Sequence, residues 1–148
     1  MSGTEPIELR FTVDCDPAHA FEVWAGRTAT WWPSSHSASG DPATVVTIEP
    51  GEGGRIYERT PAGFEHDWGR VLAWEPPTRL VYLWHLGAAG PADGTEVAIT
   101  FSPSGAGTEV SIVHRGWERL GASGPQRRGR NLAGWGGLLP HYQEAAAQ

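Results

Sequence analysis

One cysteine, Cys15, stands in a chain of 148 residues. It excludes an internal disulfide and a thiolate-rich metal site, and a reducing cytoplasm is the expected compartment. No uncharged stretch reaches the ~18 apolar residues of a membrane span before Gly or Pro breaks it, and no charged-then-apolar leader opens the sequence. Positive charge is also scarce, with 11 basic against 17 acidic residues and a formal charge of −6. Apart from Arg127, Arg128 and Arg130 the basic residues are scattered, so no broad cationic face is offered to a nucleic-acid backbone.

Catalytic and metal motifs are equally sparse. His19, His36, His66, His85, His114 and His141 include no pair at the three-to-five spacing of a helical or finger-type metal site, and neither metal nor cofactor is expected. A Gly-x-Ser-x-Gly elbow is missing, and Asp14 and Asp16 beside Cys15 disfavour a thiolate. Gly51, Gly53 and Gly54 precede a strand instead of joining strand to helix, so they read as turn glycines, not a phosphate cradle. Glu58, Glu65, His66, Asp67, Arg70 and His85 fall on strands that could border a pocket, but the outer, solvated face of a sheet is rich in the same types and is the preferred reading.

Tryptophan, by contrast, is abundant: eight residues, beside twenty glycines. Trp buries a large area and keeps one N–H that wants a partner, which suits a core or the wall of a pocket. The length fits one domain, expected to span residues 1–148, that buries about 70% of its unfolded surface.

Ile7, Leu9, Phe11 and Val13 alternate with polar residues as in a strand with one buried face. Asp16 before Pro17 is a helix start, with Ala20, Phe21 and Trp24 at helical spacing and Gly26 as the stop. A second short helix is expected from Thr28 to Trp32, ending at Pro33, and Ser34 to Asp41 reads as a loop able to act as a lid. Six strands follow, at Thr44–Glu49, Arg55–Thr60, His66–Trp74, Leu80–Leu86, Thr95–Ser102 and Thr108–Arg115. Gly- and Pro-rich turns separate them, the longest from Ala88 to Gly94.

Val97, Ile99 and Phe101 share one parity, as do Val110, Ile112 and His114, which turns them inward and puts His114 near the strand end. A neutral histidine held by a hydrogen bond is the preferred role for His114. The strands holding Trp68, Tyr82 and Trp84 are apolar on both parities, so periodicity does not orient them. The chain closes in a helix beginning near Pro125, amphipathic through Trp135, Leu138, Leu139, Tyr142 and Ala146, with a start or kink expected at Pro140. The order predicts an α+β helix-grip: a curved antiparallel sheet of about seven strands around a long C-terminal helix, with two short helices after the first strand.

The stretch GGRIYERTPAGFEHDWGRVLAWEPPTRLVYLW from Gly53 to Trp84 is followed by TEVSIVHRGWERLG from Thr108 and by Gly134-Trp135. With the opening FTVDCDPAHAFEVW and Trp31-Trp32-Pro33, it resembles the START-like SRPBCC superfamily, in the branch similar to the C-terminal domain of the activator of the heat-shock chaperone ATPase. The resemblance implies a hydrophobic ligand cavity between sheet and helix, with Trp84, His114, Trp135, Leu139 and Tyr142 carried over. It departs at Pro140, where such relatives continue a regular helix. Together with Trp24, Trp32, Trp68, Tyr82, Phe101 and Ile112, these residues form the expected site for a small apolar or aromatic molecule. A cyclase- or hydrolase-like enzyme is the second reading, and a chaperone contact, suggested only by the family's name, the third.

Overall fold

The computed structural model describes residues 3–86, 88 and 90–148. Strand β1 (Ile7–Val13) leads into helices α1 (Pro17–Ala25) and α2 (Thr28–Trp31). Strands β2 (Val45–Ile48), β3 (Arg55–Arg59), β4 (Glu65–Glu75), β5 (Arg79–Trp84), β6 (Thr95–Ser104) and β7 (Gly107–Arg115) follow, and helix α3 (Gly124–Ala146) closes the chain. The strands form one antiparallel sheet in the order β1-β7-β6-β5-β4-β3-β2. It curls into a half-barrel around α3, the expected helix-grip. The turn anticipated from Ala88 to Gly94 includes Ala89, which lies outside the described residues.

Local chemistry fixes the helix ends. Asp16 caps α1 by accepting from the His19 N–H at 2.8 Å, and Pro17 occupies the first helical position. At the other end the Gly26 N–H closes on the Glu22 carbonyl. A capped start and a small stop residue set the length of α1.

Regular pairing explains why β6 and β7 could be oriented in advance. Ile99 faces Ile112 and Val97 faces His114 without a register shift, so parity is preserved and Val97, Ile99, Phe101, Val110, Ile112 and His114 are all buried. Strand β4 behaves differently, because its register slips against β3 near Trp68 and against β5 between Val71 and Ala73. Each bulge inserts an unpaired residue and bends the strand. Trp68 is thereby buried completely while Leu72 is left exposed. Gly69, next to the first bulge, is required: a Cβ there would collide with the Leu83 carbonyl of the neighbouring strand.

Pro140 departs from expectation. It lies inside α3, which runs from Gly124 without starting afresh. A proline removes one helical hydrogen bond and crowds the carbonyl four residues back. That carbonyl belongs to Gly136, and both residues are solvent-exposed, so the missing bond falls on the water-facing side of the helix.

Inside the half-barrel the aromatics make edge and tilted contacts. Trp24 packs on Tyr142 at 4.7 Å and on Trp31 at 5.1 Å, Trp31 on Trp32 at 5.5 Å, and Trp32 on Trp68 at 5.2 Å and Trp84 at 5.7 Å between ring centroids. Phe21 closes on Phe101 and Trp74 at the other end. Such offset pairs stabilise by about 0.5–1.5 kcal/mol each beyond their burial. No helix among the described residues is long and apolar enough to cross a membrane.

Candidate ligand-binding site

The interior of the grip is full. Trp24, Trp68, Tyr82, Phe101, Ile112, His114 and Tyr142 are at most 1% exposed. Space opens instead at the mouth, where a cleft of about 720 Å³ lies between α3, the Trp32–Ala38 segment and the end of β5. That volume suits a drug-sized molecule.

Three sequence segments build its walls. Trp32 follows α2, and its indole N–H donates to the His36 carbonyl at 3.0 Å, which folds the Ser34–His36 turn back over the ring. Trp84 and Leu86 come from the end of β5. Helix α3 contributes Arg127, Arg130, Asn131, Gly134, Trp135 and Leu138, positions three or four apart that share one helical face. Gly134 leaves its place on that face empty: a Cβ there would meet nothing within 4 Å.

The loop forming one wall is fixed by a buried carboxylate. Glu58 is fully buried and accepts from the backbone N–H groups of Ala38 and Ser39, from the Ser39 hydroxyl at 2.7 Å, the Thr44 hydroxyl at 2.8 Å and the Trp68 indole at 3.0 Å. Burial alone would raise its pKa, but the hydrogen bonds from Ser39, Thr44, Ala38 and Trp68 outweigh it and hold the carboxyl below its usual range. The solvated outer-face role expected for Glu58 is therefore corrected. Strand parity puts it on the inner face with Ile56, and five donors replace the water it loses. Its companions Glu65 and Asp67 do sit outside, paired with Arg55 at 3.1 and 2.7 Å.

His114 lies under the cleft and belongs to a chain of hydrogen bonds. The Trp135 indole N–H donates to Nδ1 at 3.0 Å, which leaves Nε2 protonated to donate to the Thr95 hydroxyl at 2.7 Å, and Thr95 donates to the Trp84 carbonyl at 3.3 Å. Desolvation, with a smaller contribution from the Arg127 charge, pushes its pKa down to about 3. The imidazole is thus neutral at physiological pH, with both nitrogens occupied. Burial likewise raises the Tyr82 and Tyr142 phenols, and Tyr142 donates to the Ala20 carbonyl at 2.8 Å. The Tyr82 hydroxyl and the Trp24 indole influence one another, yet Trp24 Nε1 makes no hydrogen bond of regular geometry.

The family model for activator of Hsp90 ATPase homolog 1-like proteins matches residues 14–139. The chain belongs to this family. Among solved structures, an activator-family fold of this kind is similar to the anthrahydroquino-gamma-pyrone synthase Txn09, with 29% identity and a TM-score of 0.67 over 98% of this chain and 99% of that one. It is also similar to the self-sacrificing resistance protein CalC from Micromonospora echinospora, with 28% identity and a TM-score of 0.73 over 97% and 95% of the two chains. A protein from Chromobacterium violaceum shares the fold, with 20% identity and a TM-score of 0.67 over 97% and 98%. No curated protein matches the chain. These neighbours place this activator-family member in the START-like SRPBCC superfamily.

Of the site residues expected from the sequence, Trp32, Trp84 and Trp135 meet at the cleft. Trp24, Trp68, Tyr82, Phe101, Ile112, His114 and Tyr142 are packed behind it and are not brought to its surface. Leu139 is half-buried against the core, beside the cleft-lining Leu138. The physical reason is volume: six contacting indoles fill the grip, so the space beside Trp32, Trp84 and Trp135 lies at the mouth, where Gly134 and Asn131 leave room on the helix. Sequence reasoning missed Arg127 and Arg130 as site residues, whereas Ser35–Ala38 falls within the Ser34–Asp41 loop expected to act as a lid and lines the cleft. The clustered arginines were visible, but a face defined by Arg127, Asn131, Gly134 and Leu138 carries no apolar periodicity in its first turns.

Proposed function

We propose that this protein binds a small apolar or aromatic molecule in the cleft at the mouth of the grip. The observation that carries the reading is the meeting of Trp32, Trp84 and Trp135 around about 720 Å³ of open space, while the core behind them is closed. Burying apolar ligand surface against those rings stabilises a complex by about 25 cal/mol per Å² before binding costs. The family's habit of holding small hydrophobic molecules supports it, as does the likeness at 29% identity to a synthase named for a fused aromatic pyrone.

The test is native beside denaturing mass spectrometry on freshly purified protein, followed by a thermal-shift screen of polycyclic aromatic compounds. A co-purified mass, or a compound that raises the melting temperature as linkage requires, is the expected result. The Gly134→Phe variant, whose ring fills the cleft, should abolish the shift. A protein that carries nothing and that no aromatic compound stabilises overturns the reading.

A second reading, cyclase-like proton transfer on the same ligand, is favoured by His36. It lines the cleft, and its Nδ1 lies 3.2 Å from the Ser35 hydroxyl, a contact that orients the ring. Incubation of a stabilising compound with the protein should then give a product of changed mass or spectrum, and His36→Gln should bind the compound but leave it unchanged.

A further inference from the structure

The cleft is positively charged in a negatively charged protein. Its lining includes Arg127 and Arg130 and, among the described residues, no Asp or Glu, although the chain carries a formal charge of −6. Of the other nine arginines, Arg10, Arg27, Arg55, Arg59, Arg79 and Arg115 each have a carboxylate within 4.0 Å, whereas Arg70, Arg119 and Arg128 have none among the described residues and lie outside the cleft. Arg127 and Arg130 have none among the described residues.

The two guanidiniums are also placed with purpose. Three residues apart on α3, they project along one face and border the ring of Trp135 one to two turns on. Arg127 is steadied by donating from Nη1 to the Asp93 carbonyl at 3.0 Å, and its remaining N–H groups meet no acceptor among the described residues. Its charge is felt as far as His114, whose proton it helps to repel. A neutral aromatic seated in the cleft would strip water from these cations without replacing it, whereas an anion accepts their forked hydrogen bonds.

We propose that the ligand is an aromatic molecule bearing an anionic group, such as a carboxylate, a sulfonate or an ionised phenol, with its rings against Trp84 and Trp135 and its charge at Arg127 and Arg130. This rests on the ligand-binding reading and narrows it to a charge class. The same chemistry disfavours cationic aromatics, which the two arginines repel.

Two fluorescent probes of matched shape test it: anilinonaphthalene sulfonate and its uncharged parent, phenylnaphthylamine. The sulfonate should bind at least about tenfold more tightly, as a pair of charge-assisted hydrogen bonds allows. Raising salt from about 50 to about 500 mM should weaken the sulfonate and leave the parent unchanged. Arg130→Met should reduce the preference and the Arg127→Met, Arg130→Met double variant should remove it, with unchanged near-ultraviolet circular dichroism showing an intact fold. Gly134→Phe should block both probes. Equal affinities for the two probes, both blocked by Gly134→Phe, would overturn the charge preference and leave the pocket standing. Binding of neither probe would overturn the pocket and the preference together, and sulfonate binding that Gly134→Phe does not disturb would overturn the assignment to this cleft.

Discussion

The Trp135 indole donates to His114 Nδ1 at 3.0 Å, and this one contact joins the closing helix to the inner face of the sheet. It also fixes the tautomer, since an indole can only donate. The imidazole has no acceptor left for a proton without breaking that bond.

Stability should therefore fall with acidity well above the carboxylate range. The folded pKa of about 3 lies below the usual value of 6.5. Between those values the unfolded chain binds the extra proton, so stability is fully present above pH 6.5 and declines by up to about 1.4 kcal/mol per pH unit as pH falls toward 3. His85, buried and not on the solvated outer face expected for it, is shifted in the same direction by desolvation. Urea titrations between pH 7.5 and about 5 should show the slope, and His114→Gln should flatten most of it while lowering overall stability.

Removing the charge from Glu58 should loosen the cleft wall. In Glu58→Gln an amide faces the Ala38 N–H, the Ser39 N–H and hydroxyl, and the Trp68 indole, which are all donors. Leaving buried donors unsatisfied costs about 1–3 kcal/mol apiece where no water enters. Chemical denaturation should register a loss of at least about 2 kcal/mol, and hydrogen exchange should quicken at Ala38 and Ser39 before the rest of the chain. The depressed carboxyl makes the sign with acid the same: its contribution is present above the unfolded pKa and is lost as pH falls through the folded one.

The two tryptophans Trp84 and Trp117 should separate binding from folding. Trp117 is fully buried, donates to the His114 carbonyl at 3.0 Å and stacks on the His114 ring at 4.4 Å. Trp117→Ala should cost about 3–5 kcal/mol of stability. Trp84 lines the cleft, so Trp84→Ala should weaken binding of an aromatic compound more than Trp117→Ala does under conditions where both are folded. Equal losses of affinity would contradict the assignment.

Helix α3 contains glycines that propensity does not favour. Gly136 is exposed, and a Cβ there would meet nothing within 4 Å, whereas one at Gly137 would approach the His36 ring at 3.1 Å. Gly136→Ala should raise stability by up to about 1 kcal/mol, seen as a higher melting temperature with ligand affinity unchanged. Gly137→Ala should gain less or lose, because His36 must move.

These outcomes trace which parts of the molecule are legible in the amino-acid order. Strands β6 and β7 keep a strict two-residue period because nothing interrupts their ladder, so Phe101, Ile112 and His114 could be turned inward correctly. In β4 two bulges reset the period, and neither is marked by more than Gly69. The inward turn of Glu58 was recoverable from its parity with Ile56, but the donors that make it tolerable come from Ala38, Ser39 and Thr44, some fourteen to twenty residues away. Whether eight indoles fill a grip or line a cavity is a question of summed volume. Periodicity carries no information about volume.

The contacts that pack the indoles have an optical consequence. Trp32 touches Trp31, Trp68 and Trp84 at 5.5, 5.2 and 5.7 Å between ring centroids, and Trp31 touches Trp24 at 5.1 Å. At such separations an excited indole passes its energy to its neighbour faster than it emits, so the buried rings and those at the cleft behave as one antenna. An aromatic occupant that quenches Trp84 should darken the emission of the whole array, and the protein reports its own occupancy without a label.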